Sequence, residues 1–331
     1  MMTKIASAVL AVLFSGFLSN GVAATLDQAK KERTVVLYGA GNVEHWQKLN
    51  TAFQKKYPFL KVEMFRGNWE KVRNRVMTEG RAGSHFVDVL QIDGINGWVL
   101  KEEGYLQAHK SAETEAFPEA FRDPSGMLPC CLDTLTNVIG FNTSLVKKND
   151  APKSYQDLLN PRWKNKLGMD ADEGEWFAGL VTVWGKEKTV DYFRTLMKQN
   201  PSLRRGHTLL ANLTGAGEFP VAVNLFGYRV MEMKAQSATI DLIKADPLMV
   251  RPAHMALARR APHPNAGRLY IDFALSVEGQ QIMASLGRTV VRPGVKPKYP
   301  ELTEGLKLYP IKPEMAKNYE ELSKLYYSIV K

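Results

Sequence analysis

Cysteine, clustered histidine and long apolar runs are all scarce in this 331-residue chain. Cys130 and Cys131 are the whole cysteine supply, and an adjacent pair neither staples a loop nor builds a thiolate metal site. The fold therefore has to rest on its apolar core. In an oxidising compartment the pair either closes into a vicinal disulfide or stays as two thiols, and the sequence leaves both open. Beyond residue 24 nothing approaches the ~20 uninterrupted apolar residues of a membrane-spanning helix. No G-x-S-x-G or H-E-x-x-H string occurs, and His45, His85, His109, His207, His254 and His263 never fall at i, i+3 or i, i+4 spacing. No catalytic constellation is found, and no enzyme is expected. A single-sign charge block is missing too: 44 Lys and Arg against 34 Asp and Glu give a net +10 spread along the chain. Without a basic patch or a reading motif, nucleic acid is not an expected partner.

What is present begins with residues 1–24. Lys4, the apolar run Ile5 to Leu18 and the small-residue end Val22-Ala23-Ala24 form the pattern of a secretory signal peptide. Its removal would leave 307 residues, exported to the periplasm. At 45 % hydrophobic and 24 % charged, the remainder has the composition of a globular chain large enough for more than one domain.

From Thr34 the pattern alternates. Thr34-Val35-Val36-Leu37-Tyr38 reads as a strand, followed by a Gly loop and a helix with Trp46, Leu49 and Phe53 on one face. Lys61 to Phe65 reads as strand, Trp69 to Gly80 as helix and Val87 to Leu90 as strand. That β-α-β-α-β order builds a parallel sheet, which binds ligands beyond the carboxyl ends of its strands. There lie Tyr38-Gly39-Ala40-Gly41-Asn42 and Gln91-Ile92-Asp93-Gly94. Leu132 to Asn142, rich in Thr, Val and Ile, reads as an extended crossover into a second α/β set. That set holds a capping-box start at Ser154-Tyr155-Gln156-Asp157, a helix face of Phe177, Leu180, Val181 and Trp184, and a strand over Phe219 to Val223. Ala256 to Ala258 reads as strand, and Pro264 opens a helix through Leu275. The expected architecture is two α/β lobes with a cleft and hinge between them: residues 25–128 plus 250–300 form lobe one, 129–249 lobe two, and 301–331 a C-terminal helical segment. No oligomerisation heptads occur, so a monomer is expected.

Glycine loops before helix starts let backbone N–H groups approach a ligand, and helix N-termini attract anions. Four such junctions occur: Gly39 to Asn42, Asp93 to Asn96, Asp172 to Trp176, and Gly206-His207-Thr208. Gly39-Ala40-Gly41 opens like a dinucleotide fingerprint, but Glu44 holds the third glycine position and no cofactor is expected. Plainer roles compete at several positions. Asp93 reads equally as an N-cap and Trp176 as core, while Arg205 and His207 fit an exposed loop. Glu175 opposes a purely anionic site.

The string Ala261-Pro262-His263-Pro264-Asn265-Ala266, with Ile271-Asp272-Phe273, Ser276-Val277-Glu278-Gly279-Gln280 and Leu286-Gly287-Arg288, resembles the C-terminal signature of extracellular solute-binding proteins of bacterial ABC importers, in the ferric-ion-binding-protein-like class. Val36-Leu37-Tyr38-Gly39, Ala52-Phe53, Lys56-Tyr57-Pro58, Glu79 to Asp88, Asn137 to Asn142, Asp157-Leu158-Leu159 and Gly217-Glu218-Phe219 extend the resemblance over nearly all of the exported chain. It implies a type 2 periplasmic-binding-protein fold that closes on a small-molecule or ion ligand and delivers it to an ABC permease in the inner membrane. Of the iron ligands of that class only the carboxylate, on Asp93, keeps its chemistry. Its histidine position falls on Asn42, its glutamate on Asp93 and its tyrosine pair near Leu225 and Phe226, and hydrocarbon side chains do not ligate a hard cation. The expected ligand is a small, oxygen-rich organic or phosphorus-containing solute. Its candidate contacts are Tyr38, Gly39, Asn42, Asp93, Glu175, Trp176, Arg205, His207, Asn224 and Tyr228. An alternative ferric site would use Asp93, Asp172, Glu175 and Tyr228.

Overall fold

A computed structural model describes residues 25–330, so the signal-peptide segment lies outside the described residues. After helix α1 (residues 25–32) the chain alternates through β1 (Thr34–Gly39), α2 (Val43–Lys56), β2 (Lys61–Arg66), α3 (Trp69–Arg81), β3 (Val89–Asp93) and α4 (Gly94–Glu102). Strands β2, β1 and β3 pair in parallel. Trp46, Leu49 and Phe53 turn the inner face of α2 onto this sheet, as their spacing predicts.

Two long strands link the lobes. β5 (Cys130–Asn142) and β10 (Leu248–Ala258) run antiparallel side by side, from Met255 beside Cys130 to Val250 beside Thr136. The C-terminal part of β10, Ala253 to Leu257, pairs antiparallel with β3, and its last two residues with the short β4 (Leu106–Gln107). The far end of β5 pairs antiparallel with β8 (Val221–Phe226) and β9 (Ile240–Ile243). β6 (Leu167–Asp170) lies parallel to β8 and to β7 (Ser202–Arg204) on its other side, which completes the second sheet. Every residue of β5 is buried, which explains why its sequence lacks the apolar–polar alternation of a half-exposed strand.

Helices α5 (Gly174–Trp184), α6 (Lys186–Met197), α7 (His207–Gly215) and α8 (Gly227–Ala235) cover the second sheet. The returning helices α9 (Pro264–Leu275) and α10 (Val277–Ser285) pack with α2 and β1 in the first core. The chain then crosses once more. Past β11 (Leu308–Pro310), which joins β10, helix α11 (Ala316–Val330) buries Leu322, Tyr326 and Val330 in the second core against Trp176, Phe177 and Phe193.

Local readings differ from the structure in several places, the strands expected over Val87 to Leu90 and Ala256 to Ala258 being Val89–Asp93 and the end of Leu248–Ala258. The capping box at Ser154 does form, with the Ser154 hydroxyl accepting from the Asp157 amide, but it opens only a 3-10 turn over Gln156–Leu159. Asn160-Pro161 stops it there, since proline disfavours helical geometry in the residue before it. The strand expected over Phe219 to Val223 is shifted to Val221–Phe226, because Pro220 has no N–H for the ladder. No helix among the described residues is long and apolar enough to cross a membrane.

Candidate functional site

A cavity of about 740 Å³ opens between the lobes. Its lobe-one wall is the loop Ala40, Gly41 and Asn42 together with Arg66, Asn68 and Lys71, and Thr208, Tyr228, Arg229 and Glu232 face it from lobe two. Asn42 caps α2 by accepting the Glu44 amide at 2.8 Å, and Asn68 caps α3 by accepting the Lys71 amide at 2.8 Å. Two helix N-termini thus border one cavity, and both favour negative charge. The glycine loop is clamped from behind. Ala40 donates its N–H to Gln91 Oε1, Trp69 Nε1 donates to the same oxygen, and Trp46 Nε1 donates to the Ala40 carbonyl at 2.7 Å. A Cβ at Gly39 would lie 3.2 Å from Gln91 and Trp46, while Gly41 has φ +104°, so neither position easily takes a side chain. Arg66 donates to the Gly41 carbonyl at 2.9 Å and fixes the loop from the cavity side.

At the base of the cleft Arg251, on β10, sits between the lobes. Its guanidinium lies 5.7 Å from the ring centroids of both Trp69 and Phe226 and is ion-paired with Glu175. Burial drives the Glu175 carboxyl up to about 7, opposed by Arg251 and reinforced by Asp93. Glu173 is held well above the usual carboxylate range by burial and by the neighbouring Asp170 charge. His207 stacks on Phe226 with centroids 3.7 Å apart, and its Nδ1 meets the Asn224 carbonyl at 3.0 Å. Burial, then Arg251, lowers its pKa to about 3. Asn224 itself is buried at φ +65° and bonded to Asn137.

The candidate residues of the sequence therefore separate. Gly39, Asn42 and Tyr228 line or support the cavity, Glu175 pairs at its base, and His207 and Asn224 flank the lobe-two wall. Tyr38 does not join them. It lies in the lobe-one core, where its hydroxyl donates to Glu79 and burial raises its pKa to about 12. Trp176 is likewise core, packed between Tyr155 and Phe193. The Arg205 side chain is 77 % exposed and 3.6 Å from Asp172. Asp93 caps α4, accepting from the Asn96 amide at 2.8 Å.

Nor is the alternative ferric set brought together. Asp93 is occupied at α4, Asp172 pairs with Arg205, Glu175 pairs with Arg251, and the Tyr228 ring lies 4.1 Å from Arg288, which is ion-paired with Asp133. Of the two positions at the tyrosine pair, Leu225 is buried in core and only Phe226 reaches the site. The sequence reading missed Arg251, Asp170 and Glu173. A charged residue within the apolar run Leu248–Ala258 was the available signal for the first.

A family model described as bacterial extracellular solute-binding protein matches residues 99–304. The chain belongs to this family. The solute-binding protein is 24 % identical over 242 residues to "Iron uptake protein A1" of Synechocystis, covering 68 % of this chain and 66 % of that one. It is 22 % identical over 265 residues to the Fe(3+)-binding periplasmic protein of Serratia marcescens, covering 77 % of each. Among solved structures, apo ferric ion-binding protein A of Pasteurella haemolytica matches with TM-score 0.78 at 21 % identity, over 90 % of this chain and 98 % of that one. The periplasmic binding protein AfuA of Actinobacillus pleuropneumoniae, with fructose-6-phosphate bound, matches with TM-score 0.73 at 21 % identity, over 89 % and 96 %. At these identities the structural matches establish the two-lobed fold of the solute-binding protein.

Proposed function

We propose that this protein captures a small oxyanion-bearing organic solute between its lobes in the periplasm and delivers it to an ABC permease of the inner membrane. It acts as a monomer whose lobes, 25–128 with 250–300 and 129–249, close about β5 and β10. The observation that carries the ligand class is the cavity itself: two capped helix starts, Arg66 and Lys71 on one wall face Arg229 on the other. Only Glu232 among the lining residues is acidic, and it is ion-paired to Arg229 at 3.3 Å. Carboxylate or phosphate oxygens are the groups such donors stabilise. The ferric reading draws on the names of the relatives, but Asn42, Leu225 and Phe226 stand where phenolate and imidazole ligands would be needed.

A thermal-shift screen of phosphonates, sugar phosphates and carboxylates against ferric citrate tests the proposal. A bound solute at a hundred times its Kd adds about 2.7 kcal/mol of stability, so a true ligand is readily seen. The expected result is a stabilising organic oxyanion that is recovered chemically unchanged and loses its effect in Arg66→Ala and Lys71→Ala. A charge-transfer band with one iron per chain, or turnover of the stabilising solute, contradicts it.

A further inference from the structure

We propose that Asp170, Glu173 and His207 form a binding site for one divalent transition-metal ion at the lobe-two wall of the cleft, separate from the oxyanion cavity. One ligand atom from each of the three lies within 4.8 Å of the others. They come from three different elements: the end of β6, the N-cap of α5 and the first residue of α7. The adjacent Thr208 lines the ligand cavity, which sets the trio at its edge.

Glu173 is the observation that asks for a cation. Its side chain is 1 % exposed, and neither carboxylate oxygen accepts a hydrogen bond. The Asn224 amide approaches without closing one, and its Nδ2 is also unpaired. A buried carboxyl left in this state is costly unless a proton or an ion satisfies it. Its neighbours add to the need, because Glu173, Glu175 and Asp93 share a single guanidinium, that of Arg251, and Asp170 adds a further negative charge beside Glu173. Arg251 makes its ion pair with Glu175, and among the described residues neither Asp170 nor Glu173 is ion-paired with a Lys or Arg.

The other two members are prepared as ligands. Asp170 accepts the Gly206 amide on Oδ2 at 2.8 Å and the Asp172 amide on Oδ1 at 3.0 Å, which fixes its carboxylate plane. His207 directs Nδ1 to the Asn224 carbonyl at 3.0 Å, and an Nδ1–H donated there leaves the Nε2 lone pair free. That Nε2 is 4.0 Å from Asp170 Oδ2, and the Glu173 carboxylate completes a trio whose ligand atoms lie within 4.8 Å of one another. Two atoms bound to one ion at ~2.1 Å lie at most about 4.2 Å apart and roughly 3.4 Å apart in a tetrahedral site, so the trio closes on an ion with side-chain shifts of about an ångström. One imidazole and two carboxylates suit Zn²⁺, Mn²⁺ or Fe²⁺, with remaining positions open to water or solute.

The test uses untagged, chelator-treated full-length protein and Co²⁺ alone, followed by visible absorption and calorimetry, with no organic solute present. One Co²⁺ per chain, displaced by Zn²⁺, is expected. Affinity should fall more than about tenfold in Glu173→Gln and Asp170→Asn, since even an outer partner of a metal ligand acts on that scale. Asp172→Asn, in the same loop but outside the trio, should bind as the parent does. Glu173→Gln should fold at least as well as the parent without metal, because the amide removes a buried charge; its melting curve separates lost binding from lost structure. Absence of stoichiometric Co²⁺ or Zn²⁺, or equal binding by Glu173→Gln, overturns the site. Either outcome leaves the oxyanion reading of the cleft standing.

Discussion

Arg251 and Glu175 form an ion pair at the base of the cleft, with side chains only 15 % and 10 % exposed. The guanidinium is also held between Trp69 of lobe one and Phe226 of lobe two, so this pair couples the hinge strand β10 to both walls. Removing one partner strands the other in a buried setting. Arg251→Met should lower stability by roughly 3–5 kcal/mol, whereas the double change Arg251→Met with Glu175→Leu should recover much of that loss. Urea denaturation of both single variants and the double variant measures the coupling. Additive costs would show that the two groups act independently.

The outline of this fold was legible because its signals are local. The Trp46, Leu49 and Phe53 stripe, the Pro264 start of α9 and the apolar–turn alternation each depend on neighbours in sequence. The site was legible only in part. Asp93 and Asn42 look like ligands in a string of letters, yet both cap helices, and which role a capping residue serves is decided by what faces it. At the 170–175 junction the acidic residues stand one or two apart. The sequence suggested Asp172 and Glu175, whereas the β6-to-α5 turn brings Asp170 and Glu173 toward His207. That geometry depends on the parallel pairing of β6 with β7, which no local pattern reveals.

Cys130 and Cys131 are both buried free thiols on the hinge strand β5. The neighbouring Cys130 and burial hold the Cys131 thiol well above its ordinary pKa, so it carries no thiolate to react. The native protein should resist a thiol-specific chromogenic reagent and release two equivalents once denatured. Rapid labelling of the native form, or no thiol in the denatured form, would contradict the reduced, buried pair.

His254 lies buried on β10, and burial lowers its pKa to about 4 from the ordinary 6.5. The unfolded chain therefore takes up a proton before the folded one does. Stability should fall as pH drops from about 6.5 toward about 4, by up to roughly 3 kcal/mol from this residue. His207 and His45 are shifted in the same direction and steepen the parent's dependence. Denaturation midpoints at pH 7 and pH 4.5 should differ less in His254→Gln than in the parent. Equal differences would remove His254 from the acid response.

Hinge closure is the central claim, and small-angle scattering tests it most directly. A solute that bridges Arg66 and Lys71 on one lobe and Arg229 on the other stabilises the closed form through contacts the open form lacks. On saturation with the organic oxyanion that gives the largest thermal shift, the radius of gyration should fall, and the same addition to Arg66→Ala should leave it larger. A saturating, tightly bound solute that leaves the parent's radius of gyration unchanged would contradict capture between the lobes.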